Sequence, residues 1–447
     1  MTKSKFPHPL TLLVGCILLG AALSYVLPAG QYERQDDPAT GRKVVVAGTY
    51  HRVDQKPVNF FQALVAIPKG MADAASVIFL VFLVGGAFTV VDETGALKQA
   101  VGWLVGKLQN RETLVIPIIC LTFALGGALE NMQEEIIALV PVLLLLTRRL
   151  GFNALTAVAM SVGAAAIGAS FSPLNPFQVG IAQKLAQLPL LSGSTFRIVF
   201  LLLALGIWIA GTMRYAARTR TEPEVDAQEE ASVFDTRKII VLVIVLSTFV
   251  VFVYGVMHLH WDFDQMSALF FLMGVVAGLI GGLGIGGTAQ SFVEGFKAMA
   301  FAGILIGFAR AIFVVLDQGQ IIDTVVNAMV TPLGHLPVTI SALGMIVVHT
   351  FIHVPVPSVS GQAVLTMPVL VPVSDLLGLS RQVTVLCYQY GAGLCELITP
   401  TNGALMAIIA AAKVRYDEWL KFVIPLYLIL LGLSAMAVII GIISGLK

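Results

Sequence analysis

Two short polar motifs interrupt apolar stretches of this chain, 227 positions apart. They read Ser172-Pro173-Leu174-Asn175-Pro176 and Thr399-Pro400-Thr401-Asn402-Gly403. A proline inside a helix removes a backbone donor and clashes with the preceding turn, so each motif predicts a broken helix. A broken helix exposes N–H groups that attract anions and carbonyl groups that attract cations. The motifs add hydroxyl groups at Ser172, Thr399 and Thr401, and amides that donate and accept at Asn175 and Asn402.

The motifs belong to a longer internal similarity. Residues 141–177 align with residues 368–404 without a gap and share nine identities, which include Pro173 with Pro400 and Asn175 with Asn402. Paired, interrupted helices at matching places in two halves indicate the binding site of a secondary transporter. We therefore predict one site formed by both motifs, in which the two asparagines face each other across a pseudo-two-fold axis. A pair of packing kinks is the alternative.

Acidic residues lie where lipid would surround them. Glu396 precedes the second motif by one turn, and Glu130, Glu134 and Glu135 lie in a polar segment between two apolar arms. A charge at bilayer depth costs roughly 2.5–3.5 kcal/mol on insertion scales, so such residues usually serve a cavity, an ion or a proton. The position 227 residues before Glu396 is Ala169, so the fold does not demand an acid there. The alternative for the other three is a helix start that faces water.

Other polar residues in apolar stretches have two interpretations each. Arg310 is followed seven residues later by Asp317, so one helix face can carry both, as a structural ion pair or as a functional arginine. His349 and His353 have the i, i+4 spacing of a two-histidine metal face. No nearby acid completes such a face, so we predict no metal and consider a hydrogen-bonding or proton-coupled role.

Composition places most of the chain in lipid. Hydrophobic residues make up 57% of it and charged residues 12%, whereas a soluble domain carries about 25% charged residues. The formal net charge of +1 argues against nucleic-acid binding, which needs a concentrated basic face. We therefore expect the lipid bilayer and a small-molecule substrate as partners, and no cofactor.

Several segments are long enough to span a bilayer, which takes about 20 apolar residues. Spans are predicted near 9–28, 72–93, 152–187, 195–214, 237–257, 264–285, 299–316, 380–415 and 418–444. Two of them, 152–187 and 380–415, are too long for one straight crossing and contain the motifs. The sequence thus predicts an all-α polytopic membrane protein with two broken helices.

Residues 113–149 and 338–376 are predicted to form re-entrant hairpins, each with two apolar arms around a polar tip. The first tip contains Asn131 and the glutamates, and the second contains Ser358, Ser360 and Gly361. Arg111 and Arg148-Arg149 allow both ends of the first hairpin to lie on one side of the membrane. Two full crossings are the alternative.

The elements suggest two inverted repeats. The first covers residues 1–214 and the second covers 264–447, with a polar linker at 215–236 and an unpaired helix at 237–263 that turns the second half over. Lys and Arg placement predicts that the N-terminus and the linker are cytoplasmic.

Further residues give a family resemblance. The opening Phe6-Pro7-His8-Pro9-Leu10, the exit Leu27-Pro28-Ala29-Gly30-Gln31-Tyr32, the paired breaks and the hairpins resemble the YfcC family, over nearly the whole chain. That family is related to the anaerobic four-carbon-dicarboxylate carriers of the ion transporter superfamily. The resemblance implies a dimerising scaffold domain and a transport domain that moves as an elevator, with substrate and ions at the hairpin tips and helix breaks. The superfamily's Ser-Asn-Thr tip signature is absent, because the tips here read Glu-Asn-Met and Pro-Ser-Val.

These observations predict an ion-coupled secondary transporter of a small charged metabolite in a bacterial inner membrane, coupled to Na⁺ or H⁺. A basic amino acid is favoured, because four acids and no arginine lie near the motifs. A dicarboxylate or short-chain carboxylate is the alternative, since helix N-termini bind carboxylates without arginine. An intramembrane enzyme is a remote alternative, because no nucleophile–base or metal motif is present, and a channel would need a repeated ring of pore residues.

Overall fold

The computed structural model describes residues 9–38, 42–97, 99–100, 112–223, 235–259 and 261–446, and within them the side chain of Glu130 is among the few that it does not describe. This part of the chain is mostly helical. The first half contains α1 (Pro9–Val26), α2 (Phe60–Asp73), α3 (Ala75–Glu93), α4 (Val115–Glu130), α5 (Glu134–Arg149), α6 (Ala154–Ser170), α7 (Pro176–Gly180 continued by Ile181–Leu185) and α8 (Ser194–Arg218). The second half contains α9 (Thr236–Leu259), α10 (Phe263–Ile280), α11 (Gly284–Gln318), α12 (Ile322–Val330), α13 (Val338–His353), α14 (Val359–Leu377), α15 (Arg381–Cys395), α16 (Gly403–Ala411) and α17 (Tyr416–Ile443).

Both predicted helix breaks are present. The first interrupts the helix between α6 and α7, and the second lies between α15 and α16. The broken helices also begin alike, because Asn153 and Ser380, 227 positions apart, cap α6 and α15. Each side-chain oxygen accepts a hydrogen bond from the third backbone N–H of its helix, which satisfies a donor that has no partner within the helix.

Seven helices in the described residues are long and apolar enough to cross a membrane, and the chain is an integral membrane protein. The predicted span 299–316 is too short, because α11 is one helix of 35 residues that starts at Gly284. The predicted linker is also too long at its start, since α8 continues to Arg218. Linker residues 224–234 and Arg111 lie outside the described residues.

The expectation of an all-α chain is wrong in the connection after α1. Four short strands form two antiparallel ladders there, β1 (Gly30–Gln31) with β4 (His51–Arg52), and β2 (Arg34–Asp37) with β3 (Arg42–Val45). The Asp323 carboxylate of α12 anchors them, accepting from Tyr32 N at 2.9 Å and pairing with Arg34 Nη2 at 2.8 Å. Burial and the charge of Asp323 raise the pKa of Tyr32 to about 12, so its hydroxyl stays protonated.

The two ends of the α4–α5 pair lie together. Glu112, just before α4, forms an ion pair with Arg220 at 3.3 Å, and Gly151, just after α5, accepts from Thr221 N at 2.9 Å. The first predicted hairpin therefore returns to the place where it started, beside the end of α8. A re-entrant hairpin and two full crossings both bring the ends to one side, so the re-entrant hairpin stays a prediction.

Helix packing brings the hairpin tips and the helix breaks together. The α4 helix packs closely against α6, where a Cβ on Gly168 would collide with the Ala124 carbonyl oxygen, and α13 packs against α15 in the same way. The remaining arms pack crosswise, α7 against α14 and α16 against α5. A second apolar core joins α3, α9 and α10 with the start of α11 at Phe292.

Candidate substrate site

The first break holds the first hairpin tip. Ser172 Oγ donates to the Ala128 carbonyl at 2.6 Å, and Asn175 Nδ2 donates to the Gly127 carbonyl at 2.8 Å. Asn175 Oδ1 accepts from the backbone N–H groups of residues 177 and 178, at 2.9 and 3.0 Å, and thereby caps α7. Both side chains are fully buried, so this break positions the end of α4.

The second break connects both hairpins. Asn402 Oδ1 caps α16 by accepting from Leu405 N at 3.1 Å, and its Nδ2 donates to Gln133 Oε1 at 3.0 Å. Thr401 Oγ1 donates to the Val354 carbonyl at 2.6 Å and contacts Thr399 Oγ1 at 2.9 Å. Val354 lies 227 positions after Gly127, so each break binds the same carbonyl of the hairpin in its own half.

A cavity of about 730 Å³ lies where the two hairpin tips and the second break meet α2, α10 and α11. The predicted site residues that line it are Asn131, Glu134, Glu135, Arg310, Ser358, Ser360, Glu396, Thr401 and Asn402. Ser172, Pro173, Asn175 and Thr399 are not among its lining residues. The expectation that the two asparagines face each other in one site is therefore wrong, because only Asn402 reaches the cavity while Asn175 points into the α4 end.

Arg310 belongs to this cavity and not to a pair with Asp317. Its guanidinium forms a short ion pair with Asp73 at the end of α2, and both side chains are partly exposed. The expectation that no arginine lies near the motifs is thus wrong, because packing of α11 against α16 brings Arg310 to the second break. Asp317 and Gly361 line an adjoining cavity of about 390 Å³.

The adjoining cavity leads toward the strands after α1. It shares Arg310, Pro357, Ser358 and Ser360 with the larger cavity. Its remaining charged lining residues are Arg34, Lys43, Asp317 and Asp323. The two cavities therefore meet at the second hairpin tip and at Arg310.

The two histidines lie behind the cavity wall and are fully buried. Gln362 bridges them, with its Oε1 at 2.9 Å from His353 Nδ1 and its Nε2 at 3.1 Å from His349 Nδ1. His353 Nε2 is 3.9 Å from Glu396 Oε1, and the other Glu396 oxygen accepts a short hydrogen bond from Gln133 Nε2. An acid does approach the histidines, contrary to expectation, because it comes from α15 across the fold. Within the described ranges no three His, Cys, Asp or Glu side chains could hold a metal ion.

Four participants were not predicted. Gln133 and Gln362 lie in the predicted hairpin tips beside residues that were chosen for charge, and an uncharged amide gave no separate signal. Asp73 was visible as an acid at the start of a predicted span, and Asp262 lines the cavity from the turn before α10. Their approach depends on helix packing, which sequence spacing does not reveal.

A second polar cluster ties the first break to α8. Arg197 is fully buried, and its guanidinium donates to Gln389 Oε1 and Gln382 Oε1 at 3.0 Å each and to the Ser192 carbonyl at 2.8 Å. Gln389 Nε2 in turn donates to the Ser172 carbonyl at 2.7 Å. This buried arginine thus links α8, α15 and the first break.

Comparisons with known proteins extend over the whole chain. The family model described as DcuC, C4-dicarboxylate anaerobic carrier, matches residues 6–443. The chain is 32% identical to an Escherichia coli (strain K12) protein named "Putative basic amino acid antiporter YfcC", over 98% of both chains. It is 28% identical to an uncharacterised protein of Haemophilus influenzae, over 96% of both. The crystal structure of the Alcanivorax borkumensis YdaH transporter aligns with a TM-score of 0.44 and 18% identity, over 97% of this chain and 98% of that one.

Proposed function

The chain belongs to the C4-dicarboxylate anaerobic carrier family, and we propose that it is an ion-coupled secondary active transporter of a basic amino acid. The charge of the larger cavity carries this proposal. Of the described side chains that line it, five are carboxylates, at Asp73, Glu134, Glu135, Asp262 and Glu396, and one is a guanidinium, at Arg310. A surplus of carboxylates in a concave site attracts cations and repels dianions.

A basic amino acid has groups that match both kinds of charge. Its α-carboxylate can bind Arg310 or the N-terminus of α16, which Asn402 caps. Its ammonium groups, or a guanidinium, can bind the carboxylates of the first hairpin tip and Glu396. The name of the Escherichia coli relative points to the same class of substrate.

A four-carbon dicarboxylate is the second candidate, favoured by the family description and by Arg310. Such a substrate has two carboxylates and needs cationic partners for both. Arg310 already pairs with Asp73, and the other charged side chains that line the cavity within the described ranges are acids. The electrostatics therefore favour the basic amino acid.

The transport cycle that we propose is an elevator motion in an inverted-repeat homodimer of the bacterial inner membrane, with a cytoplasmic N-terminus. Two observations support the repeat. Equivalent pairs of helices pack alike, α4 with α6 and α13 with α15, and the carbonyls of Gly127 and Val354 are bound by the breaks in both halves. The second apolar core, which joins α3, α9 and α10 with the start of α11, supports a scaffold against which the rest of the chain could move.

Uptake into proteoliposomes tests the proposal. The panel contains L-arginine, L-lysine, L-ornithine, succinate and a short-chain acid, each with and without Na⁺ and pH gradients. We expect uptake of the basic amino acids, reduced at least tenfold by Glu134→Gln in the cavity. The matched control Glu294→Gln changes an exposed acid that pairs with Lys297 outside the cavity, and we expect it to transport normally. Uptake of succinate without any basic amino acid would refute the substrate assignment.

A further inference from the structure

We infer that the coupling ion is a proton, that His353 and Glu396 hold this proton together, and that the cationic group of the substrate displaces it. The inference rests on the proposed function and names the coupling ion of the same site. Three observations carry it: the direction of the hydrogen bonds on either side of the pair, the burial of the pair, and the position of Glu396 on the cavity wall.

A backbone carbonyl fixes the hydrogen bonds on the histidine side. Gln362 Nε2 donates to the His349 carbonyl at 2.8 Å, and a carbonyl can only accept, so the amide group cannot be turned around. Gln362 Oε1 therefore faces His353 Nδ1, and this nitrogen must carry a hydrogen. In neutral His353 the other ring nitrogen, Nε2, is then an acceptor.

A backbone N–H fixes the hydrogen bonds on the carboxylate side. Leu405 N can only donate, so Asn402 presents Oδ1 to it and Nδ2 to Gln133. Gln133 must accept with Oε1, and its Nε2 then donates to Glu396. The donor and the acceptor of each hydrogen bond from Leu405 through Asn402 and Gln133 to Glu396 are thus determined. This assignment does not depend on the protonation state of Glu396.

Between these two sets of hydrogen bonds, two acceptor atoms face each other: Nε2 of neutral His353 and Oε1 of the Glu396 carboxylate. His353 Nε2 and Glu396 Oε1 lie 3.9 Å apart, and no described protein group hydrogen-bonds to His353 Nε2. A lone pair and a carboxylate repel each other, and both residues are buried, so this arrangement is costly without a hydrogen between them. One proton on His353 makes an ion pair between the two residues, and one on Glu396 removes the charge of the carboxylate; the separation of 3.9 Å is too long for a direct hydrogen bond.

The surrounding charges favour retention of that proton. Glu396 shares the cavity with Glu134 and Glu135 of α5, while Arg310 is paired with Asp73 across it. Three other titratable groups lie near the pair. His349 is on α13, Tyr388 on α15 has its ring against His349, and Cys395 precedes Glu396. Among the described side chains that line the cavity, Arg310 is the one permanent cation, and it pairs with Asp73 and not with Glu396.

A substrate cation and the proton exclude each other at Glu396. When an ammonium or guanidinium of the substrate donates to Oε1, the proton leaves the pair for water in the cavity, and the carboxylate keeps its hydrogen bond from Gln133. When the substrate leaves, a proton from water returns. One proton therefore moves against one monovalent cation, and the exchange of L-arginine for a proton moves no net charge across the membrane.

Proton movement and amino-acid movement can be measured in the same proteoliposomes. The vesicles contain a pH-sensitive dye, L-[³H]arginine is added outside, and valinomycin with K⁺ sets the membrane potential. We expect one proton to leave for each arginine that enters, at a rate that the potential does not change. A stoichiometry of zero protons, or arginine uptake that needs Na⁺ and leaves the lumenal pH constant, would overturn the inference while the proposed function stands.

Variants separate the proton from the substrate. His353 does not line the cavity, so we expect His353→Gln to lower accumulation driven by a pH gradient at least tenfold more than it lowers arginine–arginine exchange. Arginine–arginine exchange by this variant also shows that the protein is folded. Glu396→Gln should lose both activities, Glu396→Asp should restore part of the exchange, and the exposed control His51→Gln should behave as the parent. Retention of full proton coupling by His353→Gln would refute the shared site. Succinate uptake by the parent without arginine uptake would instead refute the proposed function.

Discussion

Replacing Asn175 and Asn402 by alanine should have different consequences, although the two residues occupy matching positions of the helix breaks. Asn175 is fully buried, bonds to the end of α4 and does not line the cavity. Asn402 lines the cavity and orients Gln133, which in turn donates to Glu396. We expect Asn175→Ala to lower stability and Asn402→Ala to lower substrate affinity.

The expected magnitudes follow from the hydrogen bonds that each variant loses. Asn175 takes part in three neutral hydrogen bonds, and at about 0.5–1.5 kcal/mol each their loss lowers the free energy of unfolding by about 2–4 kcal/mol. Asn402 takes part in two, so its loss costs about 1–3 kcal/mol. Without Asn402, Gln133 is no longer held in place, and the Glu396 carboxyl group loses its fixed orientation toward the substrate. A loss of about 1.4 kcal/mol in the free energy of substrate binding corresponds to a tenfold weaker affinity.

The assay compares both variants in the same detergent and the same liposomes. Thermal unfolding followed by size-exclusion chromatography measures stability, and saturation of L-arginine uptake, normalised to folded protein, measures apparent affinity. Asn402→Asp is the matched control, because its carboxylate retains the cap of α16 but cannot donate to Gln133. We expect this control to restore stability without restoring affinity.

One result would refute this reasoning. If Asn175→Ala unfolds at the parent's temperature but loses arginine uptake, the residue contacts the substrate and the first break belongs to the binding site. A stable Asn402→Ala variant with the parent's affinity would equally show that Gln133 and Glu396 do not depend on the second break.

Three further predictions concern the charged residues. Arg310→Gln should reduce uptake at least tenfold and barely alter thermal stability, because its partly exposed pair with Asp73 contributes only about 0–1 kcal/mol; a lowered melting temperature with normal uptake would contradict this. Arg197→Lys should lower the melting temperature, because an ammonium cannot reach the three acceptors that the planar guanidinium binds, and an unchanged temperature would contradict it. Single cysteines at Arg220 and Asp375 should react with an impermeant thiol reagent from opposite sides of the membrane, in a background without native cysteines, because each marks the open end of one hairpin; labelling from one side only would contradict the inverted repeat.

Helix positions were largely predictable because lipid imposes a simple rule on them. A crossing helix needs an uninterrupted apolar stretch, so α1, α9 and α17 start and end within a few residues of the predicted bounds. The breaks were predictable because Pro173 and Pro400 cannot donate in a helix. The strands after α1 were not predicted, since each ladder is very short and its anchor, Asp323, lies almost 300 residues away in the sequence.

The cavity was predictable only in part. Charged residues in apolar stretches stand out, and Glu134, Glu396 and Arg310 all line the cavity. Their partners could not be deduced, because Asp73 approaches Arg310 only through the packing of α2 against α11. The expected facing of Asn175 and Asn402 failed for a related reason: an internal repeat predicts matching backbone positions, but it does not predict which neighbour each side chain meets.

The two breaks show how a repeated backbone can serve unequal purposes. Both bind the equivalent carbonyl of a hairpin, at Gly127 and at Val354, so both hold a tip in place. Only the second adds an acid, since Glu396 stands where the first has Ala169. A charge at both breaks would place two costly groups in the same interior. In the exchange that we propose, a proton and a substrate cation neutralise the single acid in turn, so the site carries no net charge in either loaded state. The asymmetry fits the proposed exchange, because an empty, unprotonated Glu396 would leave an uncompensated charge in the membrane interior and would disfavour movement of the empty site.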